Sequence, residues 1–69
     1  MDFHSRFNQL LEERKVSTYK ISQDTDLGQS LLGYWRRGEK SPTLENAIKL
    51  ADYFDVSLDY LVGRSDEPK

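Results

Sequence analysis

The 69-residue chain has no cysteine, a single histidine and only two prolines, and no apolar run of any length. Without cysteine, neither a disulfide framework nor a thiolate metal site can form, a composition compatible with a reducing compartment. His4 has no second histidine to work with and no acid at a metal-ligand spacing such as HExxH, so metal binding and acid–base catalysis lack a sequence basis. The neighbouring carboxylates Glu12 with Glu13 and Asp66 with Glu67 point in different directions on a helix and read as solvated surface. No segment approaches the roughly 18 apolar residues of a membrane span. The N-terminal MDFHSRFNQ also lacks the apolar core of a secretory signal. The expectation is a soluble, cytoplasmic chain of one small domain, with no membrane segment, cofactor, metal or enzymatic activity.

No stretch alternates at period two, so strands are not expected. Helical spacing recurs instead. Phe3, Phe7, Leu10 and Leu11 fall at i, i+4, i+7 and i+8, predicting a helix over about 3–14. Ser17 is placed to cap a short second helix ending near Thr25. Asp26, Leu27 and Gly28 make a tight break before a helix over 28–37, whose Leu31, Leu32 and Trp35 face inward. Gly38 and Pro42 stop it, and Thr43 caps a fourth helix with Leu44, Ala47, Ile48, Ala51 and Phe54 on its apolar face. Ser57 caps a short fifth helix, with Leu58, Leu61 and Val62, that Gly63 ends. The division expected is a domain over 1–64 and a polar, frayed tail over 65–69.

Net charge is −2, which at first sight disfavours a polyanionic partner. Its distribution is uneven: residues 1–27 sum to −1, residues 28–43 to +2 and residues 44–69 to −3. The one basic segment contains GYWRRGEK. Over a Debye length of about 8 Å, a local basic edge acts independently of acids on a far face.

Residues 17–38, STYKISQDTDLGQSLLGYWRRG, thus form two short helices around a turn. From Arg6 to Arg64 the chain resembles the lambda-repressor and Cro-like helix-turn-helix family of the xenobiotic-response-element type. The match rests on Leu10 with Glu13, on VSTYKIS, on DLGQSLLGYWRRG and on SPTLENAIKLADYFDVSLDYLVG. The resemblance implies an all-α, compact five-helix domain that is a sequence-specific, double-stranded DNA-binding transcriptional regulator, of phage or prophage repressor type, encoded by a bacterium or phage. Asp26 stands where the family has a turn glycine, and is expected to take the left-handed torsions itself.

Carried over, the base-reading positions are Gln29, Ser30, Gly33 and Tyr34. The phosphate contacts are Thr18, Tyr19, Lys20, Arg36, Arg37 and Lys40, with Arg36 also a candidate for pairing with an acid on helix 1 or 4. Gln29 suits the bidentate edge of adenine, and Arg37 ends the reading helix beside Gly38. Trp35 is expected in the core rather than as a stacking platform. The partner expected is a two-fold related operator bound by a homodimer, its interface at Tyr60 and Leu61 or in the loop before helix 4. Two alternatives stand beside this: an antitoxin-type autorepressor that binds a toxin, and a protein-interaction module that has lost DNA binding.

Overall fold

Four short oxygen-bearing side chains fix where helices begin. Asp2 accepts from the Ser5 amide at 2.8 Å, Ser17 from Lys20 at 3.0 Å, Thr43 from Asn46 at 3.2 Å and Ser57 from Tyr60 at 3.0 Å. Each satisfies a donor that the first helical turn leaves open. The computed structural model describes residues 1–69 as α1 (Phe3–Arg14), α2 (Thr18–Asp24), α3 (Gln29–Arg37), α4 (Leu44–Phe54) and α5 (Leu58–Leu61), with no strand. The all-α, five-helix expectation is met. Gly28 is the residue before α3 rather than its first turn.

Three helices stop in the same way. Lys15, Gly38 and Asp55 adopt left-handed backbone at φ 55°, 77° and 57°, and the next amide reaches back to a carbonyl five residues earlier. That closure ties up orphan carbonyls at the helix end. Asp26 is not among the left-handed residues, contrary to expectation. Thr25 shapes the α2–α3 turn instead: its hydroxyl donates to the Ile21 carbonyl at 2.7 Å and accepts from the Leu27 amide at 3.1 Å. The backbone therefore turns from an extended Thr25, and Asp26 is free to pair with Lys49 of α4 at 3.1 Å.

The apolar faces close on an aromatic centre. Trp35 of α3 meets Phe3 and Phe7 of α1 edge-on at 6.3 and 6.4 Å, and Phe7 meets Phe54 of α4 at 6.3 Å. Leu10, Ile21, Leu32, Leu50 and Leu61 complete the fully buried set, so every helix contributes. α1 packs on α3 and α5, α2 on α3, and α4 on α5, within 27 × 22 × 22 Å. No helix is long and apolar enough to cross a membrane.

Two parts of α4 and the tail differ from expectation. Leu44 and Ile48 are 68% and 44% exposed, because α5 is only four residues long and covers little of the α4 stripe. The tail is docked rather than frayed. Arg6, almost fully buried, lies 3.6 Å from the centre of the Tyr60 ring and donates to the Ser65 carbonyl at 3.2 Å. Further along, the Ser57 amide donates to the Pro68 carbonyl, and Lys69 pairs with Asp55 at 2.7 Å.

Candidate nucleic-acid interface

With Leu32 and Trp35 buried and Leu31 half-buried, α3 turns the remaining positions outward. Gln29 and Ser30 are exposed at its start, Arg36 and Arg37 at its end, and Gly33 and Tyr34 are half-buried between them. Residues 29, 33 and 37 share one row at i, i+4 and i+8, and 30 and 34 lie on the adjacent one. Gly28 offers no side-chain cap, so the first amides of α3 remain open donors at the positive end of the helix dipole.

Towards the other end, Tyr34 is flanked by two cations. Lys40 Nζ lies 4.3 Å from the ring centre, and the Arg37 guanidinium carbon lies 5.4 Å from it. Arg37 does not trail off the end of α3 as its position suggested. Its guanidinium folds back over Gly33, close enough that a Cβ there would sit 3.0 Å from Nη1, and its Nε donates to Glu39 at 3.1 Å. Arg36 and Lys40 make no ion pair, so the expectation that Arg36 pairs with an acid on α1 or α4 is not met.

α1 sets the pose of α3 through two residues that sequence reasoning missed. Asn8 Nδ2 donates to the Arg36 carbonyl at 2.9 Å, and His4 Nε2 lies 3.0 Å from the same oxygen. The His4 ring also lies against Gly38, where a Cβ would be 3.2 Å from it. The i, i+4 spacing of His4 and Asn8 on the polar side of α1 was the available signal, but it resembles any solvated pair.

Thr18, Tyr19 and Lys20 make up the first turn of α2, on a different element from the other candidates. Tyr19 is 57% exposed. Lys20 pairs with Asp24 at 3.2 Å, and the Tyr53 hydroxyl donates to the same carboxylate at 2.7 Å. The Tyr53 hydroxyl, and then Lys20, hold the Asp24 carboxyl below the usual carboxylate range, while Asp24 pushes the Tyr53 hydroxyl above its own. No cluster of histidine, aspartate and glutamate is arranged to hold a metal ion. The arrangement is a helix face with exposed polar side chains at one end, cations at the other, and a second short helix packed beside it.

Residues 8–61 match the model of a family described as helix-turn-helix. The chain is 30% identical over 63 residues to an uncharacterized HTH-type transcriptional regulator, YobD, of Bacillus subtilis (strain 168), covering 91% of this chain and 56% of that protein. It is 40% identical over 58 residues to the cryptic phage CTXphi transcriptional repressor RstR of Vibrio cholerae serotype O1 (strain ATCC 39315 / El Tor Inaba N16961), covering 80% of this chain and 52% of that protein. The chain spans about half the length of these curated relatives. No solved structure matches it at a significant level.

Proposed function

Since this chain belongs to the helix-turn-helix family, we propose that it is a sequence-specific DNA-binding transcriptional repressor that lays α3 in the major groove. The observation that carries this reading is the outward face of α3, where Gln29 and Ser30 stand clear at the N-terminal end and the unpaired cations Arg36 and Lys40 lie at the other. A major groove about 12 Å wide accepts one helix. Gln29 reads adenine through a bidentate amide contact, Ser30 and Tyr34 add contacts to a base edge or thymine methyl, and Gly33 leaves the space that the Arg37 side chain occupies. Thr18, Tyr19, Lys20, Arg36 and Lys40 hold phosphates and set the register. Lys20 exchanges its Asp24 partner for a phosphate with little loss, since exposed ion pairs are weak.

The protein acts in the cytoplasm as a homodimer on an operator whose half-sites lie about one helical turn apart. Tyr60 and Leu61 are buried and do not supply the interface. The exposed Leu44 and Ile48 do, beside a groove of about 300 Å³ lined in part by Pro42, Leu58 and Val62. A two-fold contact there covers apolar surface that a lone copy leaves in water.

Affinity for duplex DNA measured against salt tests the reading. Lys20, Arg36 and Lys40 on three phosphates give a logarithmic slope of about −2.7 for each half-site, or roughly a 40-fold loss per half-site between 50 and 200 mM salt, and twice that slope for the dimer on both. Gln29→Ala relaxes preference at one base pair, by about 1 to 3 kcal/mol, and leaves that slope unchanged. Binding that ignores salt sinks the proposal.

A further inference from the structure

We infer that Arg37, seated on Gly33 and buttressed by Glu39, reads a guanine from the middle of α3 instead of holding phosphate at its end; this rests on the DNA-binding reading above. Arg37 is one turn beyond Gly33 on the row that begins with Gln29. Helical side chains lean towards the N-terminus, so a long side chain at 37 travels back along the row when nothing stands at 33. Glycine leaves that path open, whereas a Cβ at 33 would sit 3.0 Å from Nη1 and push the guanidinium aside by a few tenths of an ångström. The absence of a side chain in mid-helix is thereby explained by what occupies its place.

The donors left over match a base edge. Glu39 takes Nε at 3.1 Å, and neither Nη has a hydrogen-bond partner. Two Nη groups on one planar fork fit the O6 and N7 acceptors of guanine in a single bidentate contact. Glu39 orients the guanidinium through Nε, and both Nη groups remain as directional donors. The Tyr34 ring, its centre 5.4 Å from the guanidinium carbon, adds a cation–π contact that holds the guanidinium. Preorganising a flexible side chain in this way lowers the entropy lost on binding.

Selection of bound sites from randomised duplex DNA by the wild-type protein, Arg37→Gln and Gly33→Ala tests this. The expected result is a G·C pair at a fixed position in each wild-type half-site, with the preference lost in Arg37→Gln by roughly 5- to 150-fold. The position read by Gln29 keeps its preference. Gly33→Ala weakens the same G·C position while its thermal melting stays at or above that of wild type, which separates displacement of Arg37 from misfolding. Arg37→Gln binding every site more weakly with all base preferences intact overturns the inference and returns Arg37 to phosphate. A wild-type protein that enriches no site overturns the inference together with the function beneath it.

Discussion

Trp35→Ala is expected to cost about 3 to 5 kcal/mol and to abolish cooperative thermal unfolding, measured by circular dichroism. Trp35 is 1% exposed, and its ring is the one through which α3 meets both Phe3 and Phe7. Phe7 carries the contact on to Phe54 of α4, so alanine would remove the edge-on partner of two α1 rings and loosen the aromatic centre they build. A domain of this size has a total stability of only about 3 to 10 kcal/mol, so the loss matches much or all of it. Trp35→Phe is the informative control. Its ring refills most of the site, and the indole Nε1 it deletes has no hydrogen-bond partner to lose. The smaller loss should therefore reflect lost volume, offset in part by removal of a buried N–H that has no partner. A Trp35→Ala protein that melts within a few degrees of wild type contradicts this core.

Gly63→Ala is expected to be the next most damaging change, at about 2 to 3 kcal/mol. Gly63 has φ 87°, in the left-handed region that a Cβ disfavours, and the Cβ of alanine would overlap the Met1 carbonyl. The strain of the torsion and the displacement of residues 1 and 2 then add. Asp2 caps α1 through the Ser5 amide, so moving it loosens the first turn of that helix. Asp2→Ala removes the cap alone and should cost only about 1 kcal/mol. The effect of Gly63→Ala extends to binding, because His4 lies on the loosened turn and holds the Arg36 carbonyl at the end of α3. Chemical denaturation measures the stability of each variant. A Gly63→Ala loss no greater than that of Asp2→Ala contradicts the close packing of the chain start on Gly63.

Helix positions and the inward side of α3 were legible in the sequence because local chemistry determines them. Ser17, Thr43 and Ser57 each cap the helix that their position promised, and Leu32 and Trp35 are buried as their spacing required. What escaped depends on partners far along the chain. The apolar stripe of α4 was visible, but not that α5 would leave Leu44 and Ile48 uncovered. The tail docks mainly through the backbone carbonyls of Ser65 and Pro68, which every sequence possesses and none advertises. The α2–α3 turn was assigned to the wrong residue. Asp26 is not left-handed, and the turn is held by the Thr25 hydroxyl, which bridges two backbone groups.

The candidate site divides along the same line. Which residues face outward on α3 follows from helical period, so Gln29 and Ser30 could be named in advance. Where a long side chain goes once it leaves the helix does not. Arg37 reads in sequence as the last cation of a helix, whereas its guanidinium rests a full turn earlier because Gly33 leaves the space and Glu39 draws Nε. His4 and Asn8, which both meet the Arg36 carbonyl at the end of α3, look in the sequence like ordinary surface.

In the proposed function, α3 and the first turn of α2 together form the surface that meets duplex DNA. Backbone amide NMR of the protein titrated with an operator-containing duplex tests it directly. Shifts are expected to concentrate at residues 18–20 and 28–40, with core residues outside these segments, such as Leu10, Leu50 and Phe54, unmoved. Shifts confined to residues 44–62, or none while the protein remains folded, would contradict it.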